Sequence, residues 1–340
     1  MANKETRRQH YVPRTYLKHF ATERNGEYFI KALPISDFNI DKIQEINISN
    51  VCLQKDIYTL PGNTPEERML LETFYSDNYE AHYDQIYQVL IDPDKLTLTD
   101  NERELVISTV VTMFYRTTKW ISMHNEVMNR ALERMFILCQ QTGKDQFLFE
   151  NQIISIAGKT LEQVQLENKI EGRPAQVMTQ LDTAMRLIRF RCHNDGIYIS
   201  KLVDEDCEFV TSDNPVIFSN IFSNRPVPFD PDNVLTVPLD TKHKLFLMPY
   251  GDKELKHILA RHNVSGSMCF MEKLTSNFEQ SKNAERFMLG KESALQSYLQ
   301  TKDVSERPLT DEEYAKTKFA DEILEKGKEL IRSLNPERLK

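Results

Sequence analysis

The chain has little of what carries familiar cofactor chemistry. It holds ten glycines in 340 residues, and none falls into GxGxxG or GxxxxGK[ST]. Dinucleotide and P-loop phosphate cradles are therefore excluded. The five cysteines, Cys52, Cys139, Cys192, Cys207 and Cys269, are odd in number, widely spaced and free of any CxxC. That argues against a disulfide framework or a zinc ribbon and for a reducing, cytoplasmic setting. No GxSxG elbow, HExxH or kinase set is found. The eight histidines are scattered, no two at helical ligand spacing beside a third donor, so neither a metal nor another cofactor is expected. The nearest match to a metal-dependent nuclease is Asp240 with Glu254-Leu255-Lys256. That stretch reads as helix, where such chemistry wants its acid-x-lysine on a strand.

Long apolar runs are missing too. Leu105 to Phe114 is too short to span a bilayer and Arg116 follows closely. The opening MANKETRRQHYVPR is charged where a signal peptide is apolar. A soluble cytoplasmic protein with no membrane partner is the expectation. The low content of Gly and Pro, ten and fourteen, rules out a collagen-like or low-complexity chain.

What remains is a globular composition, 40% hydrophobic and 28% charged, long enough to bury a core without covalent staples. The net charge of -8 argues against bulk adhesion to nucleic acid or anionic lipid, though not against a local basic patch that takes phosphate.

No internal repeat is visible. Pro13 suits the first turn of a short helix carrying Tyr16, Leu17 and Phe20. Asn25-Gly26 is a turn, followed by a strand from Glu27 to Leu33, and Asp56 to Leu60 is a second extended piece. From Thr64 the period becomes helical: one helix to Leu90, a second from Thr99-Asp100 to about Gln141, a third stretch over 144–171, and a fourth from Pro174 to Arg191. At Ile197 the period shifts to two, with strands at 197–200, 207–211, 234–237 and 244–248 around a Pro-rich loop from Ser219 to Pro231. Helices return over 252–261 and 275–289. A charged tail helix from Asp311 carries Phe319, Ile323 and Leu330. The pattern predicts an α+β fold: a mixed or antiparallel sheet from N-terminal and later strands, packed against a central helical block. One domain over 1–340 is expected, divided into 1–60, 64–191, 197–290 and 311–340.

Three features carry candidate chemistry. In Gln9-His10-Tyr11-Val12-Pro13-Arg14, an imidazole, a phenol and a guanidinium flank a helix start, whose free N–H groups suit an anion. The plainer reading pairs Arg14 with a carboxylate and lets His10 cap local backbone. Arg116 falls on the apolar face formed by Leu105, Thr109, Met113, Trp120 and Met123, where a charge needs a partner or a ligand. It either holds an internal carboxylate or reaches into a pocket. Thr211-Ser212-Asp213-Asn214-Pro215, at a strand exit, is either an ordinary hydrogen-bonded turn or the edge of a site.

These segments together resemble a bacterial domain-of-unknown-function family, number 4238, with an HYVPR-type N-terminal signature. The resemblance rests on residues 9–20, Phe114-Tyr115-Arg116-Thr117, Phe209 to Val216, Val237-Pro238-Leu239-Asp240, and Asn277 with Ala284-Glu285-Arg286-Phe287, over about residues 9–290. The Asp240-Thr241 pair departs from the Ser-Pro-like pair expected there. The resemblance implies one domain-wide unit and supplies no reaction.

The residues themselves suggest a phosphate-recognising site: His10, Tyr11 and Asp213 as catalytic groups, with Arg14, Arg116, Thr117, Ser212 and Asn214 binding the ligand. The enzyme reading is metal-independent cleavage of RNA or processing of a nucleotide. The alternative is non-catalytic recognition of an anionic ligand or a partner protein, including a second copy of the chain. A third reading makes the cluster a structural knot.

Overall fold

A computed structural model describes residues 7–149, 152–223, 227–250 and 253–306, with isolated positions beyond 306. Phe319, Ile323 and Leu330 of the expected tail helix lie outside the described residues, as do 224–226 of the Pro-rich loop. The fold is α+β. Its larger sheet is mixed, in the order Ile217–Asn220, Asn233–Pro238, His243–Pro249, Asp195–Leu202 and Leu259–Val264. All neighbours in it are antiparallel except the last pair. Ile197 and Ile199 on one strand and Leu245 and Leu247 on its neighbour turn to the same buried face, the outcome of a period-two pattern.

A second sheet joins the two ends of the chain. Thr22–Arg24 and Glu27–Pro34 form a hairpin across Asn25-Gly26, both with positive φ, the conformation that suits the twist of a tight hairpin. Glu27–Pro34 then pairs with Gln44–Asn47 on one edge and Phe287–Gly290 on the other, and Phe287–Gly290 pairs with Thr211–Ser212. The N-terminal strands thus share a sheet with Thr211–Ser212, reached through Phe287–Gly290, and not with the strands of the mixed sheet. Residues 287–289 were expected as helix; the helix Gly266–Asn283 ends earlier, and Phe287, Met288 and Leu289 find a sheet edge instead.

Tertiary context overrides local pattern elsewhere too. The expected helix at 252–261 is a single 3₁₀ turn, Lys253–Leu255, leading into the parallel strand Leu259–Val264. Over 144–171 a hairpin, Gln146–Phe149 with Gln152–Ser155, precedes the helix Leu161–Glu171. Of 207–211 only Thr211 is strand, within Thr211–Ser212. The expected strand at 56–60 is displaced to Leu53–Lys55, because Asp56 takes a left-handed φ of 55°. The expected helix to Leu90 is split into Pro65–Arg68, Leu70–Asn78 and Tyr83–Ile91.

Helix starts follow the sequence closely. Thr64 with Glu67, Thr99 with Glu102 and Thr160 with Gln163 each form a capping box, which satisfies two backbone or cap donors reciprocally. Gly143, left-handed, stops the helix Thr118–Thr142. The helix Asp100–Tyr115 is buried on nearly every side rather than amphipathic: Val106, Ile107, Val110, Val111 and Met113 are interior, and so are Ser108, Thr109 and Thr112. The Thr109 and Thr112 hydroxyls donate to the carbonyls of Leu105 and Ser108, which makes them tolerable in a core. One continuous apolar cluster includes Tyr11, Tyr16, Ile107, Leu187, Leu245 and Leu289.

Candidate anion-binding site

The N-terminal motif is anchored before it can bind anything. Arg8–His10 pairs with Leu53–Lys55, and buried Gln9 is fixed by its side chain. Its Oε1 accepts from Tyr58 N at 2.7 Å, and its Nε2 donates to Thr59 Oγ1 at 3.2 Å. Tyr11 and Val12 enter the core, and a helix of four residues, Arg14–Leu17, follows. Tyr16 Oη donates to the Pro238 carbonyl at 2.9 Å and lies 2.6 Å from Thr211 Oγ1, tying the motif to both sheets. A four-residue helix has almost no aligned dipole, so any anion here is held by side chains rather than by the helix start.

The expected continuous helix breaks at Arg116-Thr117, between Asp100–Tyr115 and Thr118–Thr142. The break turns Arg116 inward. Its side chain is 2% exposed, and Nη2 donates to Glu80 Oε1 at 2.7 Å and to the His10 carbonyl at 3.0 Å. Its guanidinium carbon stands 4.3 Å from the Tyr75 ring centre and 5.4 Å from that of Tyr58. Tyr58 Oη donates to the Arg116 carbonyl. Burial opposes the charge, but Tyr58, Glu80 and Tyr75 outweigh it and hold the pKa above the ordinary arginine value. Arg116 therefore holds an internal carboxylate, and that carboxylate is Glu80.

His10 lies against this pair. Burial, reinforced by Arg14, pushes its pKa down to about 4, so the ring is neutral at pH 7. Its Nε2 is buried without a hydrogen-bond partner. Glu72, also facing Arg116, is pushed up to about 7 by burial. Tyr11 is buried, and desolvation raises its phenol far above the ordinary range.

The Thr211–Pro215 segment is occupied differently. Asp213 Oδ1 and Oδ2 accept from the amides of Glu285 and Arg286 at 3.0 and 2.9 Å, and burial raises its carboxyl to about 6. Ser212 Oγ donates to Gln280 Oε1 at 2.7 Å. The Asn214 carbonyl accepts from Asn283, while both polar atoms of its side chain are buried without a protein partner. Thr117 Oγ1 donates back to the Phe114 carbonyl. The structure thus gathers His10, Arg14 and Arg116 around Glu80. It engages Asp213 and Ser212 with the chain following Gln280, so the expected pairing of Asp213 with an arginine or with His10 does not form.

Arg14 is the exposed member. It lines a cleft of about 380 Å³ with Lys18, Glu27, Tyr28, Ser49 and Glu80. Glu80 is neutralised by Arg116, and Lys18 is paired with Asp84. The Arg14 guanidinium has no ion pair or hydrogen bond among the described residues. Sequence reasoning missed Glu80, Tyr58 and Tyr75 because they lie on separate segments joined only by folding. Lys18 sat in the recognised motif, and its spacing of four from Arg14 was the available signal.

The sequence matches a family described as "Protein of unknown function (DUF4238)" over residues 8–335. No curated protein and no solved structure matches it.

Proposed function

Since the chain belongs to the DUF4238 family, a family described without a reaction, we propose its function from the cleft: it binds a phosphate-bearing small ligand, of the nucleotide class, as a recognition site. The observation that carries this reading is the exposed Arg14 guanidinium, free of any ion pair among the described residues, which lines a cleft of about 380 Å³. An unspent planar fork is suited to a phosphate, which it holds bidentately. Glu27 and Ser49 supply an acceptor and a hydroxyl for sugar or base groups. The cleft volume lies at the lower end of those that take small ligands. With one unpaired guanidinium among the residues lining the cleft, in a chain of net charge -8, a small nucleotide is favoured over a long RNA strand, whose binding draws on many phosphate contacts.

A catalytic reading, metal-independent cleavage of RNA or a nucleotide, is favoured by a single observation: His10 Nε2 is neutral near pH 7 and unpartnered. A group in that state can accept a proton.

Calorimetric titration with mono- and dinucleotides, and with a short RNA, tests the proposal. A nucleotide should bind, and Arg14→Ala should weaken it by about tenfold or more, the worth of a charged hydrogen-bonded contact. Absence of binding, or unchanged affinity in Arg14→Ala, overturns the assignment. Conversion of nucleotide or RNA, lost in His10→Ala, would replace the recognition reading with the catalytic one.

A further inference from the structure

On the far side of the larger sheet, two cysteines distant in sequence meet a carboxylate. Cys207 Sγ, Cys269 Sγ and a carboxylate oxygen of Asp204 all lie within 4.8 Å of one another. Cys207 and Cys269 are 3% and 0% exposed, while Asp204 is half-buried and forms the side open to solvent. We propose that Asp204, Cys207 and Cys269 form a binding site for a thiophilic divalent cation of the zinc class, with water as the fourth ligand.

The donor set suits that ion. Two thiolates and a carboxylate are ligand types that zinc takes, and three protein ligands plus water is the arrangement of its open sites. Zinc–sulfur bonds of about 2.3 Å place tetrahedral ligand atoms under about 4 Å apart. Closing from within 4.8 Å therefore needs only side-chain rotation on the order of 1 Å. The ion displaces one proton from each thiol to solvent as two metal–sulfur bonds form, so no oxidant is involved.

The surroundings hold these donors in place. Lys242 Nζ donates to the carbonyls of Asp204, Glu205 and Cys207 at 2.8, 3.0 and 2.7 Å. One ammonium thereby clamps the turn that carries two of the ligands. The Gly266 amide donates to Asp204 Oδ2 at 2.7 Å, orienting the carboxylate, as outer contacts of metal ligands do. Leu202, Phe209 and Val264 pack around the sulfurs, giving the low-dielectric shell that strengthens a metal–thiolate bond. Two thiolates and a carboxylate leave a zinc ion at net charge −1, and Lys273, whose charge acts on Cys207, offsets it. No sequence motif announces the site, since Cys207 and Cys269 come together only when the strand Leu259–Val264 pairs beside Asp195–Leu202.

The test is titration of the full-length protein, reduced with a phosphine, with Co2+ and then Zn2+. One Co2+ should bind per chain, with sulfur-to-cobalt charge-transfer absorption that Zn2+ abolishes. Cys207→Ser and Cys269→Ser should each lower affinity by at least about 100-fold, the upper range for losing even an outer-shell partner. Asp204→Asn keeps an oxygen for the Gly266 amide, so it should fold, retain the sulfur band and bind about tenfold more weakly. No charge-transfer band, or a band that persists in the cysteine variants through Cys52, Cys139 or Cys192, overturns the site. Should the cysteine variants fail to fold, Asp204→Asn decides: unchanged cobalt affinity there overturns the proposal.

Discussion

Arg116 and Glu80 meet at 2.7 Å in the interior, with Arg116 2% exposed and the same Nη2 also donating to the His10 carbonyl. One guanidinium thus ties the break between two long helices to the N-terminal motif and to the segment at Glu80. Tyr58 and Tyr75 cover its faces. This accounts for the burial of Arg116 at the helix break: the charge is matched inside the fold.

Arg116→Lys keeps the charge and loses the planar fork and the stacking. It should destabilise the protein by about 2 to 4 kcal/mol, somewhat below the cost of breaking a fully buried pair, because Glu80 is partly exposed. Chemical denaturation reads this directly. A loss under about 0.5 kcal/mol would contradict the packing described.

Glu72 has a folded-state pKa raised to about 7 by burial. Its contribution to stability is fully present below the ordinary glutamate pKa of about 4.3 and is lost as pH rises through 7. Glu72→Gln, which stays neutral, should therefore gain on the parent protein by about 1 to 3 kcal/mol between pH 4.5 and pH 8. Urea midpoints measured across that range test it, and a constant difference between the two proteins would be the contrary result.

His10 shifts the other way, with its pKa lowered to about 4. The unfolded chain binds the proton first, so the contribution is present above about pH 6.5 and declines as pH falls toward 4. His10→Gln should remove up to about 3 kcal/mol of that acid sensitivity. Thermal midpoints of the two proteins at pH 7 and pH 4 measure it, the parent falling further.

Asp213→Asn replaces one of the two oxygens that accept from the Glu285 and Arg286 amides with an NH2 group. A donor then faces a donor, at a cost of about 1 to 3 kcal/mol. Nucleotide affinity should be unchanged in the folded fraction, since Asp213 does not line the Arg14 cleft. Loss of affinity without loss of stability would place Asp213 in the site after all.

Local chemistry was legible where local forces decide. Capping threonines, the Asn25-Gly26 turn and the stop at Gly143 depend on residues a few positions apart. The period-two strands around Ile197 and Leu245 and the α+β class follow from patterns of the same short range. The notable residues of the candidate site, His10, Arg14 and Arg116, were also visible, as charges or titratable groups in unusual company.

What the linear chain determined by itself was which residues need partners; which partners they found was decided by tertiary structure. Arg116 required a carboxylate, and both Glu80 and Asp213 were available in sequence. Asp213 is instead satisfied by backbone amides brought near when Phe287–Gly290 enters the second sheet. The same pairing turned an apparent helix end into a strand, because a sheet edge offers backbone hydrogen bonds and cover for Met288 and Leu289 that an isolated helix turn lacks. The meeting of Cys207 with Cys269 has a similar origin. Their proximity depends on a parallel strand pairing between distant segments, and no local spacing encodes it.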